Sequence, residues 1–239
     1  MFKNLLKIII LLFSIELFII LFNINQNILP LPSQIINQFI NSFNLIFYHY
    51  MNSITLTIIS IIFIILISFY LGILIDKYKL NFLYNFINFF QLIPTIIIIP
   101  FFLIFFGFNK IPIILFTILI GIFPLINSII INLKNISFSY NYLFKSLNQD
   151  NYLKYKIPYI FPNLLDSFII VLTYSFSNVI LYEYICGQNG LGYLLHQSIN
   201  NYNISLSYLI SIIIILTTYI MIKFFKILWN IKFKKERYV

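Results

Sequence analysis

What most constrains the fold is a succession of apolar runs, each long enough to cross a bilayer, with the lysines gathered into alternate gaps. A spanning helix needs about 20 residues. Six such runs can be drawn: Leu5–Phe22, Met51–Ile75, Asn81–Phe106, Ile111–Leu133, Asn163–Tyr184 and Ile204–Trp229. With both ends on one side, the inner segments are 1–7, 76–80, 134–162 and the tail. They carry Lys3, Lys7, Lys77, Lys79, Lys134, Lys145, Lys154, Lys156, Lys232, Lys234, Lys235 and Arg237. Lys223 and Lys226 sit at the inner end of the last run and can snorkel inward. The outer segments hold only Lys110. Segments facing the cytoplasm hold the Lys/Arg excess in membrane proteins, and five or seven crossings would scramble this order. The expected fold is therefore all-α, a polytopic helical membrane protein of about six transmembrane helices.

Composition agrees with the placement but is the weaker argument. Of 239 residues, 61% are hydrophobic and 9% charged, against about 25% charged in soluble chains. The chain has no alanine and is dominated by Ile, Asn, Lys, Phe and Tyr, a bias that inflates hydropathy by itself. The lysine order is not explained by that bias. Lys3 and Lys7 before the first run resemble a secretory signal, but the run is long for an h-region and no small-x-small site follows, so it reads as an uncleaved helix. The 15 Lys+Arg against 6 Asp+Glu report orientation rather than nucleic-acid binding. One cysteine, Cys186, excludes an internal disulfide. His49 and His196 are far apart and read as polar loop residues, so no metal site is expected. No G-x-x-x-x-G-K-[ST] occurs, so the chain has no Walker-type nucleotide site of its own.

Three stretches stand out from this background. Residues 134–162 form a lysine-bearing polar segment ending in Pro158 and Pro162. Span three contains Pro94 and Pro100, and span four Gly121 and Pro124. The segment from Glu183 to Gly192 holds three of only six glycines, Gly187, Gly190 and Gly192. Prolines inside spans read either as tolerated kinks or as breaks that line a pathway. Glycines permit positive φ and close backbone approach, so the chain is expected to dip back toward the bundle at Gly190-Leu191-Gly192. Glu183 lies roughly 25 Å from Asp166 at 1.5 Å per residue, which excludes a carboxylate pair doing acid–base work. Glu16 is the one acid deep in a span; it is costly there, and no role is assigned to it.

Taken in order, these residues resemble the permease subunit of binding-protein-dependent ABC importers. The closest likeness is to the branch handling nitrate, sulfonates, taurine and thiamine-pyrimidine precursors. Leu31-Pro32-Ser33 resembles the Leu-Pro-Ser-Pro after the first helix, with Gln34 replacing the second proline. Gln91 through Pro100, followed by Gly107, is similar to the proline-containing third helix. Pro158 and Pro162 match the paired prolines that end the cytoplasmic loop, and Glu183, Gly190 and Gly192 match the Glu and Gly-Leu-Gly between the fifth and sixth helices. The likeness covers roughly residues 30–230.

The resemblance implies a type I importer permease of MetI-like architecture: an N-terminal helix and start of an external loop over 1–29, a permease domain over 30–230 and a basic cytoplasmic tail over 231–239. It implies a multi-pass protein of the cytoplasmic (inner) membrane, with both termini in the cytoplasm. Its partners would be cytoplasmic ABC ATPase subunits, an external solute-binding protein, a second permease copy and the lipid bilayer, with no nucleic acid. The chain would carry no cofactor and catalyse no covalent reaction, ATP and Mg being bound by the partner ATPase.

The family's cytoplasmic loop forms a coupling helix against that ATPase. Here the implied loop residues are Tyr140, Leu143, Lys145, Ser146, Leu147, Asn148, Gln149 and Asp150, with Pro158 and Pro162 as a stiff exit that interrupts the helix. Tyr140, Leu143 and Leu147 share helical spacing, and Ser139 can cap. The implied pathway or gate residues are Pro94, Pro100, Glu183, Gly190 and Gly192, with Glu183 either gating or contacting the docked binding protein.

The loop departs from the family's Glu-Ala-Ala-x-x-x-Gly: Tyr142 to Asn148 offers no carboxylate and no glycine. It is also about three residues short, close to one helical turn. A permease that has lost transport, or a membrane scaffold, is therefore a second reading. A small ion-coupled carrier is a third, disfavoured because Glu16 has no basic partner within a span.

Overall fold

The computed structural model describes residues 13–14, 16–26, 28–137, 139–140, 142–143 and 152–233, and these are helical or turn with no strand among them. In chain order the helices are α1 (Pro32–Asn41), α2 (Phe43–Tyr78), α3 (Asn81–Gln91), α4 (Thr95–Phe106), α5 (Lys110–Lys134), α6 (Leu165–Cys186), α7 (Leu191–Asn200) and α8 (Ile204–Phe233). Among the described residues, four helical stretches are long and apolar enough to cross a membrane: Phe43–Tyr78, Lys110–Lys134, Lys154–Cys186 and Ile204–Lys232. The pair α3 and α4, bent by 99°, makes a fifth if counted as one span. The first expected run lies mostly outside the described residues.

The second span begins at Phe43 rather than Met51. Its opening turns carry Asn44, Tyr48, His49 and Tyr50, which hydropathy alone assigns to a loop. Expected span three is a broken helix. Leu92 and Ile93 close three-residue turns onto the carbonyls of Phe89 and Phe90, and Pro94 then serves as N-cap of α4. Pro100 stays inside α4.

Pro158 and Pro162 do not interrupt the helical path. The backbone winds as a π turn over Tyr152–Lys156, an α turn over Ile157–Ile160 and a 3₁₀ turn over Phe161–Leu164, then enters α6. Each proline lies in the first turn of its segment, where its missing N–H is not needed.

The chain divides into two compact units, one of residues 1–53 and 180–217, the other of 54–179 and 218–239. In the second, the core joins Ile64, Leu125, Ile129, Leu133, Ile160, Leu164, Phe168 and Trp229. Phe161 stacks on Trp229 at 5.1 Å and 11°, and Phe168 lies 5.4 Å from the same indole. Ile75, Ile87, Phe123, Ile126 and Ile130 form a neighbouring cluster.

Despite the bend, both α3 and α4 make contacts along α5. Lys134 lies over the Tyr84 ring, Asn127 donates to Gln91 and Phe102 meets Phe116 edge-on. Each pair straddles Asn109 symmetrically, as in a helical hairpin turning there. Asn109 starts the return helix by accepting from the Ile111 N–H at 2.9 Å. The Pro124 ring removes a donor from the middle of α5, and the Ser68 hydroxyl donates to the nearby Ile122 carbonyl at 3.4 Å.

Gly72 sets how closely α2 approaches α5. A β-carbon there would sit 2.8 Å from Ile129 Cγ2 and 3.2 Å from Ile129 Cβ. Gly72→Val is therefore expected to lower stability by about 1–3 kcal/mol through overpacking, read as a reduced Tm of the purified protein. An unchanged Tm would mean that α2 and α5 do not pack through this glycine.

Candidate functional site

In the unit formed by residues 1–53 and 180–217, the start of α7 is held by groups from α2 and α6. The first N–H groups of a helix have no partner within it, and α7 has no side-chain cap of its own, since its N-cap is Gly190. Three consecutive amides find partners elsewhere. Gly190 N–H donates to His49 Nδ1 at 3.0 Å, Leu191 N–H to Ser53 Oγ at 2.8 Å, and Gly192 N–H to Glu183 Oε2 at 3.1 Å. His49 and Ser53 lie one turn apart on α2 and so share a face. The Ser53 hydroxyl donates to the Glu183 carboxyl group, 2.9 Å from Oε1 and 2.7 Å from Oε2.

The cluster is sealed from solvent. Glu183 and Ser53 are 0% exposed and His49 5%. Buried polar groups need partners, and here they find them across 130 to 141 residues of sequence. A carboxyl group at a helix N-terminus is further favoured by the helix dipole. Because Gly190 N–H occupies His49 Nδ1, that nitrogen is the acceptor, and the imidazole proton sits on Nε2.

The glycines are required by this geometry. Gly190 has φ +106° and ψ 171°, a region essentially reserved for glycine, and a β-carbon there would fall within the Glu183 carboxyl group. A β-carbon on Gly192 would collide with the Ile180 carbonyl oxygen and lie 2.7 Å from the Tyr184 nitrogen. Gly187 ends α6, its N–H donating to the Glu183 carbonyl at 2.9 Å. The expectation that the chain dips back at Gly190-Leu191-Gly192 matches what is seen. Glu183 as a surface contact for a docked protein does not, because its carboxyl group is wholly buried and engaged internally.

Near the other end of this unit, Leu31-Pro32-Ser33 starts α1, with Pro32 buried in the first turn. Gln34 Oε1 accepts from Leu31 N–H at 3.2 Å, and Ser33 Oγ donates to Glu16 Oε1 at 2.7 Å. Gln34, where the likeness expected a second proline, thus caps the helix, and Glu16 has a hydrogen-bond donor.

Other implied site residues are placed apart from this cluster. Pro94 and Pro100 are exposed, at and just after the break between α3 and α4. Tyr140 and Leu143 are helical and exposed, and the Tyr140 ring lies 4.9 Å from Tyr159. Pro158 and Pro162 fall in the winding approach to α6. Lys145, Ser146, Leu147, Asn148, Gln149 and Asp150 lie outside the described residues. Sequence reasoning missed His49 and Ser53. Their four-residue spacing on one helical face was the available signal, but it carries no hint of the distant amides they receive.

Among the described residues no group of three His, Cys, Asp or Glu gathers to hold a metal. The cluster offers hydrogen-bond acceptors to backbone amides, which is a fastening rather than a reaction centre. In comparisons with known proteins, the family model described as "Binding-protein-dependent transport system inner membrane component" matches residues 64–232. The match takes in Glu183, Gly190 and Gly192 and begins after His49 and Ser53. No curated protein matches the chain.

Proposed function

We infer, from the premise that this chain belongs to the family of binding-protein-dependent transport system inner membrane components, how it works as the permease of an ABC importer. The observation that carries the reading is the extent of that match, from the middle of α2 almost to the end of α8. The chain is a multi-pass membrane protein. As a transporter membrane subunit it supplies a route, and no covalent chemistry falls to it.

The orientation follows from the lysines. Segments 76–80 and 134–162 and both termini face the cytoplasm, and the Gly190–Gly192 turn faces outward. Tyr140 and Leu143 then present exposed apolar side chains on the cytoplasmic side, where an ATPase subunit would grip the loop they begin. ATP and Mg would be bound by that subunit. Two permease copies and an external solute-binding protein would complete the importer. The solute is proposed as small and of the nitrate, sulfonate, taurine or pyrimidine-precursor class, on the strength of Leu31-Pro32-Ser33 and Gly190-Leu191-Gly192.

In this scheme the His49–Ser53–Glu183 cluster fixes α7 at the outer mouth, and the break at Pro94 lies along the pathway. Motion of the cytoplasmic loop reaches the cluster through one continuous element, the helical path from Lys154 to Cys186, which ends just past Glu183.

Affinity purification of the tagged chain from its native membrane is expected to retain an ABC ATPase subunit. Recovery of a stable chain without one would contradict the coupling. The loop from Tyr142 to Asn148, lacking the family's carboxylate and glycine, favours the second reading of a subunit that assembles without transporting. Asn148→Gly separates the two: raised ATPase activity in the assembled complex supports a lost coupling contact, and no change supports a loop that has diverged but still works.

A further inference from the structure

We propose that α2 and α6 hold a buried water molecule between them at mid-membrane depth, on Ser60, Ser175 and Asn178. All three residues belong to the unit formed by residues 54–179 and 218–239. Ser60 and Ser175 are 0% exposed and Asn178 7%. Ser60 Oγ, Ser175 Oγ and Asn178 Nδ2 are closed off from the surface, and none has a hydrogen-bond partner among the described residues. Ser60 stands near the middle of α2, and Ser175 and Asn178 near the middle of α6. Neither bulk water nor lipid headgroups satisfy polar groups at that depth, so partners must lie inside the protein.

The helices bring the three groups into register. Ile64 and Ser175 flank Gly121 of α5: a β-carbon there would collide with Ile64 Cδ1 and lie 3.6 Å from Ser175 Oγ. Farther along α2, the Phe69 ring lies 6.4 Å from Phe168 and 6.2 Å from Phe161, both of which precede Ser175 in the chain. The two helices therefore run in opposite directions past each other. Ser60 is one turn before Ile64, and Asn178 one turn after Ser175, each on the same face as its neighbour. In an antiparallel pair these two positions are level.

The chemistry selects a neutral ligand. Residues 54–75, 111–133 and 167–182 contain no Asp, Glu, Lys, Arg or His, so an ion among these spans would be buried without a counter-charge, at a high cost. A serine hydroxyl both donates and accepts, and the Asn178 amide nitrogen donates. A buried water makes about three hydrogen bonds to groups that are otherwise unsatisfied, and two hydroxyls and one amide supply that number. The water then fastens α2 to α6 in the apolar core around Ile64. This inference goes beyond the permease reading and does not depend on it.

The test pairs thermal unfolding with direct detection of the water, on the purified chain in lipid bilayers. Ser60→Ala and Ser175→Ala are each expected to lower the Tm by about 2–4 °C. The double variant should lose less than the sum, because either change disrupts the same water. A raised Tm in either single variant would mean a hydroxyl buried dry. Strict additivity would mean that each serine bonds back to a carbonyl of its own helix. Either result overturns the proposal.

Solid-state NMR of the chain labelled with ¹⁵N-asparagine reads the water itself. Magnetisation from water is expected to reach one side-chain amide, the signal of which disappears in Asn178→Leu and receives less transfer in Ser175→Ala. Should Asn178→Leu fail to accumulate, Asn178→Ser identifies the same signal. An Asn178 amide that receives no transfer overturns the proposal even where the serines are coupled, since the coupling would then be direct contact.

Discussion

Gly190→Ala is expected to unfasten α7 and lower the Tm of the purified chain more than any other single methyl addition outside the Gly190–Gly192 turn. Two separate costs meet at this position. Forcing a side chain into the backbone region at φ +106° costs about 1–3 kcal/mol. The added carbon also lands within the Glu183 carboxyl group, so Glu183 must leave Ser53 and Gly192 to make room. Gly107→Ala supplies the control. It has a positive φ of 72° but nothing within 4 Å of the added carbon, so it carries only the backbone term. Gly192→Ala meets a different obstacle, the backbone of α6, which cannot rotate aside. Equal Tm values for Gly107→Ala and Gly190→Ala would mean that Glu183 is not pressed against this turn.

Glu183→Ala is the second large effect. It strands the Gly192 amide in a site closed to water, which costs about 1–3 kcal/mol, and leaves the Ser53 hydroxyl only the His49 carbonyl, 3.3 Å away, to donate to. Glu183→Gln keeps one acceptor oxygen and should fall between the alanine variant and the parent. Ser53→Ala removes the acceptor for Leu191 N–H and the donor to Glu183 together. The pair should therefore be non-additive, with the double variant losing less than the sum of the singles, as expected of residues in one network. Thermal unfolding of the four proteins gives the coupling directly, and strict additivity would show that Ser53 and Glu183 act independently. Amide exchange at Leu191 and Gly192 should quicken in Glu183→Ala, since local opening of the turn governs exchange there.

Sequence made the spanning helices visible because lipid imposes a simple rule, a long apolar run bounded by charge. It failed where polarity serves the interior. Asn44, Tyr48, His49 and Tyr50 look like loop, yet they open α2, since His49 and Ser53 are buried against amides far along the chain. Hydropathy scores a residue by itself and cannot register a partner 141 positions away. The prolines were legible as perturbations but not in kind. Pro94 marks a break because two three-residue turns precede it, whereas Pro100 stays helical, and Pro158 and Pro162 sit in first turns where no N–H is missed. The glycines were the most readable part of the site, because a requirement for no side chain leaves no substitute residue. What they approach, Glu183 and the α6 backbone, became legible only in three dimensions.

In the proposed orientation the fastened turn and the lysine-bearing loop lie on opposite sides of the membrane. Single cysteines at Gln188 and at Ser139, each in the Cys186→Ser background, test it with a membrane-impermeant maleimide. Labelling is expected at Gln188→Cys on intact cells, and at Ser139→Cys only after the membrane is opened. Labelling of both positions from the same side would contradict it.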